Sequence, residues 1–444
     1  MNFLPITETE RELMLERVGV SKIDDLFSDV PSDARLDGGL ELDAGLEEMQ
    51  VARLLEELSR ANKSAADLVC FAGGGIYDHY QPALIDNLLQ RPEFFTAYTP
   101  YQPEVSQGTL QAIYEFQTGI CELTGLDVSN AGMYDGATAL VEAAFMAHRV
   151  SRTRSRVLVA GSIHPEKIET LRTYAQAGTI QIEIISEGQI SCDSAALSAA
   201  LDDDVAAVLL PYPNYYGIIE DVAPLVEKIH AVGALVVFDC NPLLLSVLKS
   251  PGDLGADIAV GDAQCLGNAM NFGGPGLGFF ACREKIMRQI PGRLVGKTTD
   301  VEGHDAYVLT LATREQHIRR EKATSNICSN HALNALAAGA YLAATDPEGL
   351  SSIALSACGK AHRLHDALVG TGLFEDPCPG AVFGYEFMLD YCGPGQLSQL
   401  YDDLLDAGIL PGIRVGEKGL LIAATEKRTD REIDLFVEEV SRHA

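Results

Sequence analysis

The chain reads RVLVAGSIHPEKIETLRTYAQAGTIQIEIIS from residue 156 to residue 186, and this stretch sets the pattern that decides the fold. In it, a β-rich apolar run is followed by an amphipathic stretch and then by a second apolar run. The same alternation continues through DSAALSAALDD (193–203), VAAVLLPYP (205–213), DVAPLVEKIHAVG (221–233) and ALVVFDC (234–240). This order predicts a mostly parallel sheet covered by helices on both faces, with right-handed crossovers.

Outside this stretch the pattern predicts three regions. Helical periodicity in residues 1–65 predicts a helical N-terminal arm. Residues 66–345 form the predicted large α/β domain, with two more strands at ADIAVGD (256–262) and GLGFFAC (276–282). From residue 346 a helix, a strand, a helix, a strand and a last helix predict a small α+β C-terminal domain, residues 346–444.

Composition limits the classes of partner. The formal charge of −30 opposes binding to nucleic acid or to anionic membranes. A local excess of basic residues at 283–322 is an exception, and it reads equally well as a solvated face. No apolar run approaches the roughly 20 residues of a membrane helix, and the acidic start is not a signal peptide, so we expect a cytoplasmic protein.

Metal binding is not expected. The ten cysteines lie in apolar contexts without a C-x-x-C pair, which predicts reduced and mostly buried thiols. His164, His304 and His317 have no convergent Cys, His or acidic spacing, so they are read as structural residues.

A loop rich in tyrosine and proline is the first candidate site. The segment EFFTAYTPYQPEVSQG (93–108) groups Tyr98, Tyr101, Gln102 and Glu104 around prolines that fix the backbone. A rigid loop that is both polar and aromatic suits a small ligand. The alternative is a packing loop with satisfied tyrosines.

Two helix starts are candidate anion sites, because the first amides of a helix lack partners within the helix. One is at Gly136–Thr138, and plain N-capping is its alternative. The other is in REKATSNICSNHA (320–332), where Thr324, Ser325 and Asn326 are either phosphate partners or caps.

Asp239 ends a predicted strand. A carboxylate in that position suits a protonated pyridine nitrogen, or it is one acid of a polar loop.

Several long strings make the chain resemble a known family. They are AYTPYQPEVSQGTLQA (97–112), ICELTGLDVSNAGMYDGATAL (120–140), FGGPGLGFFACREK (272–285), PGRLVGKTTD (291–300) and REQHIRREKATSNICSN (314–330). With them the chain resembles the glycine dehydrogenase (decarboxylating) family, the P protein of the glycine cleavage system, among fold-type I pyridoxal phosphate enzymes. The match is to the alpha subunit of the two-chain form, subunit 1.

The resemblance implies a fold-type I transferase-like architecture and a pyridoxal phosphate enzyme that decarboxylates glycine. The aminomethyl group then passes to the lipoyl arm of the H protein. Where the cofactor-bearing half of the family has a His-Lys pair, this chain has Gln264 and Cys265. A cysteine cannot form the Schiff base. The resemblance therefore implies that the Schiff base forms on a lysine-bearing beta subunit.

By the same resemblance, loops of this chain reach the partner's cofactor. The phosphate-side role is carried onto Thr324, Ser325 and Asn326, and the substrate-side role onto Tyr98, Tyr101, Gln102 and Glu104. Asp239 receives no role. Two alternatives stay open, namely a self-sufficient pyridoxal phosphate enzyme that uses another lysine, and a non-enzymatic regulatory or interaction subunit.

Overall fold

The computed structural model describes residues 5–36, 38, 40–271, 273–327 and 331–443. They divide into two compact units, Met1–Lys63 and Ser64–Ala444. The predicted limits at residues 65 and 345 stay predictions.

The first unit contains the two helices that the periodicity predicts, α1 (Glu8–Val18) and α2 (Glu48–Arg60). A capping box closes the start of α1, where Thr7 accepts from the amide of Glu10 and the Glu10 carboxylate accepts from the amide of Thr7. No described side chain of this unit is buried. Packing inside the unit therefore adds little to its stability.

The second unit contains the remaining helices and strands of the described residues. In chain order they are β1 (Val69–Cys70), α3 (Ala83–Leu89), α4 (Pro92–Phe95), α5 (Gln107–Thr124), β2 (Val128–Ser129), α6 (Gly136–Ser151), β3 (Arg156–Ala160), α7 (Pro165–Ala175), β4 (Gln181–Ile185), α8 (Ser194–Ala199), β5 (Val205–Tyr212), α9 (Ala223–Ala231), β6 (Leu235–Cys240), β7 (Ile258–Asp262), β8 (Gly278–Cys282), β9 (Leu294–Thr299), β10 (Asp305–Thr310), α10 (Gln316–Arg319), α11 (Ala332–Gly370), β11 (Phe374–Glu375), β12 (Glu386–Tyr391), α12 (Leu397–Asp406), β13 (Ile409–Leu410), β14 (Ile413–Val415), β15 (Gly419–Ala423) and α13 (Asp430–Ser441).

The main sheet has seven strands in the order β2-β8-β7-β6-β5-β3-β4. The five strands from β3 to β7 are parallel, whereas β8 and β2 are antiparallel to their neighbours. All eight residues of β5 are buried, as expected for a strand covered by helices on both faces. The mostly parallel α/β sheet predicted from the sequence is confirmed.

The order of the strands also locates a crevice. From β3 the chain passes to β4 on one side, and it then returns to place β5 on the other side of β3. Ligands of open α/β sheets bind beyond the carboxyl ends of the strands at such a switch point. The loops that follow β3, β5, β6 and β7 are therefore the first place to look for a site.

The C-terminal part has a second sheet. Its order is β11-β12-β15-β14, and all of its pairings are antiparallel. The long helix α11 is interrupted at Asp346, whose φ of 52° is not helical, directly before Pro347. Proline cannot continue the hydrogen bonding of the preceding turn, which explains the interruption.

Some elements were not predicted. The pair β1–β13 and strand β11 are two residues long, too short to show a period of two. The ribbon β9–β10 lies within the basic run at 283–322, and the last three residues of β9 are exposed. Among the described residues, no helix is long and apolar enough to span a membrane.

Gly217 connects the main sheet to the C-terminal sheet. Its φ is 85°, a left-handed conformation, and a Cβ atom there would overlap the carbonyl oxygen of Glu386 at the start of β12. The neighbouring amide of Ile219 donates to the carbonyl oxygen of Val382 at 2.8 Å. Only glycine permits this close approach of two backbones.

We expect Gly217→Ala to lower the free energy of unfolding by about 3 kcal/mol or more, since left-handed strain of about 1–2 kcal/mol adds to an overpacking cost of about 1–3 kcal/mol. Urea unfolding of the purified chain measures this change. Gly178→Ala is the matched control, because Gly178 has a φ of 77° and no atom near its Cβ position. Equal losses in the two variants would show that the backbone contact at Gly217 contributes nothing.

Candidate functional site

The crevice at the carboxyl ends of the parallel strands is nearly filled by this chain's own side chains. His164 and Lys167 follow β3, Asn214 follows β5, and Asp239 and Asp262 lie near the ends of β6 and β7. All of them line a cavity of about 60 Å³. This volume is small beside the roughly 300 Å³ at which ligand pockets begin.

Lys167 and Asp239 form an ion pair across the crevice. The Lys167 Nζ atom lies 2.6 Å and 2.8 Å from the two carboxylate oxygens of Asp239. Both side chains are largely buried. The strand-end carboxylate noted in the sequence therefore has a cation from its own chain as partner. Sequence reasoning missed Lys167, because its amphipathic helix after β3 gives no sign of which side chain turns inward.

The start of α6 is closed by carboxylates. The amide of Gly136 donates to Asp262 Oδ2 at 3.1 Å, and the amide of Thr138 donates to Asp135 Oδ1 at 2.7 Å. Burial raises the pKa of Asp262, although the amides of Gln264 and Gly136 oppose that shift. These acids satisfy the amides that a phosphate would need, so the N-capping interpretation of Gly136–Thr138 describes the structure.

The turn after β7 holds Gln264 and Cys265 in the core. The side chain of Gln264 accepts from the amide of Tyr77 at 3.0 Å and donates to the carbonyl oxygen of Asn268 at 2.7 Å. Burial raises the pKa of the Cys265 thiol to about 12. A thiol in this state is neither a nucleophile nor a substitute for an amine.

A buried acid forms another wall of the cavity. Glu386 accepts from the amide of Gly74 at 2.6 Å and from the hydroxyl of Tyr77 at 2.8 Å, and burial raises its pKa to about 7. The Nε2 atom of His164 lies 2.8 Å from the carbonyl oxygen of Gly74. This network ties the first loop of the second unit to β12.

Pyridoxal phosphate requires three features of the crevice that binds it. A fold-type I site needs an amine, an acid free to pair with the pyridine nitrogen, and amides free to hold the phosphate. Here the thiol of Cys265, the Lys167–Asp239 pair and the capped start of α6 occupy those positions. The residues of this crevice therefore do not fit the cofactor.

The tyrosine loop lies on the surface instead. Tyr98, Gln102 and Glu104 are exposed, with Tyr98 at 78%. Tyr101 is 47% exposed, and its hydroxyl accepts from Arg293 at 3.2 Å. Its ring also contacts the ring of His317, with the ring centroids 5.4 Å apart. Buried Pro100 anchors the loop between these tyrosines.

The candidate phosphate residues have different environments. The amide of Thr324 donates to the carbonyl oxygen of Arg314 at 2.9 Å, and the residue is half-buried. The hydroxyl of Ser325 donates to buried Glu142 at 2.7 Å. Asn326 is exposed. Residues 328–330 of the SNICSN string lie outside the described residues.

Both candidate groups adjoin the segment that enters β9. Arg293 lies against the ring of Tyr101, with its guanidinium carbon 5.4 Å from the ring centroid. Arg314, next to Thr324, donates to the carbonyl oxygens of Ile290 and Gly292. The chain thus presents both groups beside residues 290–293.

In the described part of the chain, no group of three or more His, Cys, Asp or Glu side chains is arranged to hold a metal ion.

Known proteins are similar to this chain along its whole length. The family model of the glycine cleavage system P-protein matches residues 1–440. The probable glycine dehydrogenase (decarboxylating) subunit 1 of Chlorobium chlorochromatii is 48% identical, with 99% of each chain covered. The protein of the same description from Carboxydothermus hydrogenoformans is 47% identical, again with 99% of each chain covered.

Solved structures give the same result. A crystal structure of glycine decarboxylase (P-protein) of the glycine cleavage system, in inhibitor-bound form, has a TM-score of 0.90 and 41% identity, with both chains fully covered. A cysteine desulfurase from Escherichia coli has a TM-score of 0.61 at 15% identity, with 86% of this chain and 95% of that chain covered, which shows a shared fold alone. The chain belongs to the glycine cleavage system P-protein family.

Proposed function

We propose that this chain is the subunit of glycine decarboxylase that forms no Schiff base. Together with a lysine-bearing beta subunit it decarboxylates glycine and transfers the aminomethyl group to the lipoyl arm of the H protein, in the cytoplasm. Pyridoxal phosphate is held by the partner and supplies the electron sink. The observation that carries this proposal is the crevice closed by the Lys167–Asp239 pair, with a buried thiol at position 265.

The surface around residues 290–293 supports a contribution in trans. Tyr98, Tyr101, Gln102 and Glu104 offer hydroxyl, amide and carboxylate groups to the glycine and lipoyl side. Thr324 and Asn326 offer a hydroxyl and an amide to the phosphate side. We assign Ser325 a supporting role, because its hydroxyl already binds Glu142.

The alternative of a self-sufficient enzyme needs an amine in the crevice. Lys167 is such an amine, but both oxygens of Asp239 hold it. An ammonium group paired in this way is not a nucleophile, and the cavity beside it has no room for a pyridine ring. The two-subunit proposal requires neither the release of Lys167 from Asp239 nor a larger cavity.

We expect the chain purified alone to be colourless with pyridoxal phosphate and to release no carbon dioxide from glycine. Cys265→Lys should behave in the same way, since the new amine enters a crevice that lacks the volume and the anion site. Visible absorbance and release of labelled carbon dioxide measure this, with the reconstituted pair of subunits as the positive control. A yellow, active single mutant would contradict the proposal.

In the reconstituted enzyme, Thr324→Ala and Asn326→Ala should each raise the dissociation constant for pyridoxal phosphate by about tenfold to a hundredfold. Each removes a charge-assisted hydrogen bond of roughly 1.5–3 kcal/mol. A cofactor titration measures the change. Ser325→Ala is the control, and it should leave the cofactor affinity unchanged while the local fold is weakened. If all three variants titrate like the wild type, these residues serve only as caps.

Tyr98→Ala and Tyr101→Ala should lower exchange of labelled bicarbonate with glycine by about tenfold or more while cofactor affinity is retained. One oriented hydrogen bond to the reacting side is worth about that factor. Val105→Ala, on the same exposed loop, should change neither exchange nor cofactor affinity, because the valine side chain makes no hydrogen bond that the substitution could remove. Loss of cofactor in the tyrosine variants would contradict the substrate-side role and would show that the loop acts on the phosphate side.

A further inference from the structure

Tyr101 is held by side chains from outside its own loop. Its hydroxyl accepts a hydrogen bond from the guanidinium group of Arg293 at 3.2 Å, and the guanidinium carbon lies 5.4 Å from the centre of its ring. The ring also packs edge to face against the ring of His317, with the two centroids 5.4 Å apart. The ring and the hydroxyl of Tyr101 are therefore both oriented by neighbours.

Glu315 lies beside both of these neighbours. Its Oε2 atom is 3.6 Å from Arg293 Nε and 3.7 Å from His317 Nδ1. Arg293 and Glu315 are buried, whereas Tyr101 is about half exposed. Two buried charges are costly unless they are paired with one another. Glu315 is thus the counter-ion that keeps the Arg293 side chain at this position.

The backbones of the two charged residues are fixed as well. The amide of Ala131 donates to the carbonyl oxygen of Arg293 at 2.8 Å. Glu315 is the N-cap residue of α10, and its carbonyl oxygen accepts from the amide of Arg319 at 2.8 Å. A side chain whose backbone and partner are both fixed holds the group that it contacts in a narrow range of positions. The pair therefore sets the direction of the Tyr101 hydroxyl.

The direction of the hydrogen bond from Arg293 decides what this hydroxyl can still bind. Arginine has N–H donors and no acceptor, so the Tyr101 oxygen accepts and its hydrogen is left for another group. Among the described residues, none accepts a hydrogen bond from this hydroxyl. The positive charge beside it favours a negatively charged acceptor over a neutral one.

The surroundings of Arg293 have room for a small ligand. Arg293 and Tyr98 line a cavity of about 330 Å³. This volume reaches the roughly 300 Å³ at which ligand pockets begin, whereas the crevice of the main sheet measures about 60 Å³. Arg293 thus contacts the Tyr101 hydroxyl and also forms part of the wall of a cavity of ligand size.

We infer that Arg293 is a positioning residue, held by Glu315, that presents the Tyr101 hydroxyl as a hydrogen-bond donor to the carboxylate of glycine. The inference rests on the proposed function, which places Tyr101 on the glycine and lipoyl side. Glycine offers two carboxylate oxygens that accept hydrogen bonds and share a negative charge. A lipoyl arm offers a neutral amide and sulfur atoms, which are weaker acceptors. The carboxylate therefore matches both the donor and the charge.

The test is a double-mutant cycle in the reconstituted enzyme, measured by exchange of labelled bicarbonate with glycine. Tyr101→Phe removes the hydroxyl, and Arg293→Lys keeps the charge opposite Glu315 without the planar fork of donors. Each should raise the KM for glycine about tenfold and leave the KM for lipoylated H protein unchanged. The double variant should stay about tenfold above wild type instead of reaching about a hundredfold, because Arg293 acts through the hydroxyl.

Glu315→Gln reaches the same contact by a second route if Arg293→Lys does not fold. It should raise the KM for glycine about threefold or more, and this rise should disappear in the Tyr101→Phe background. Asp257→Asn is the matched control. Asp257 is also a buried acid paired with a cation, since Lys285 Nζ lies 2.8 Å from it, but it precedes β7 at the end of the strand opposite the crevice. This control should lower thermal stability without changing either KM.

Additive effects in the cycle would overturn the inference, and so would a rise in the KM for H protein with an unchanged KM for glycine. Fluorine NMR of the free chain labelled with fluorotyrosine tests the contact itself. The resonance that is absent from Tyr101→Phe should move in Glu315→Gln and stay in place in Asp257→Asn. If the wild-type pair of subunits shows no exchange, the proposed function fails and the carboxylate assignment fails with it. An unmoved resonance with normal exchange would overturn the positioning role alone.

Discussion

The ion pair between Lys167 and Asp239 is the constraint on which the rest of the site depends. It lies where an open α/β sheet normally receives a ligand, and it joins the helix after β3 to the end of β6. Two buried charges are costly to remove from water unless they are paired with good geometry, and here both carboxylate oxygens contact the ammonium group. Losing either partner would leave the other charged and buried.

The walls of the crevice extend this closure to the C-terminal part of the chain. Glu386 at the start of β12 is bound to Gly74 and Tyr77, and Asp78 accepts from Arg428 at 3.1 Å. Backbone contact at Gly217 holds the same strand from the other side. Contacts between the loop after β1, the segment after β5 and strand β12 therefore hold the walls of the crevice.

The candidate substrate-side and phosphate-side residues lie outside this crevice. The tyrosines that the family resemblance singled out lie on an exposed loop beside Arg293, where Tyr98 and Arg293 line a cavity of about 330 Å³. The first unit likewise presents apolar side chains that no described neighbour within it buries. Both features are understandable in a subunit whose working surface is completed by a partner.

The sequence by itself determined the class of fold, because residues 156–282 alternate between short apolar runs typical of strands and amphipathic runs typical of helices. It also indicated the missing amine, since Cys265 can be read directly at the end of a predicted strand.

The tertiary structure decided the rest. Lys167 and Asp239 form an ion pair only in the packed structure. Whether a side chain of an amphipathic helix points inward depends on the residues that pack against the helix. The same holds for Ser325, which reads as a phosphate partner until Glu142, 183 residues away in sequence, takes its hydroxyl. Local pattern records periodicity and residue type, whereas a site is made by contacts between residues far apart in the chain.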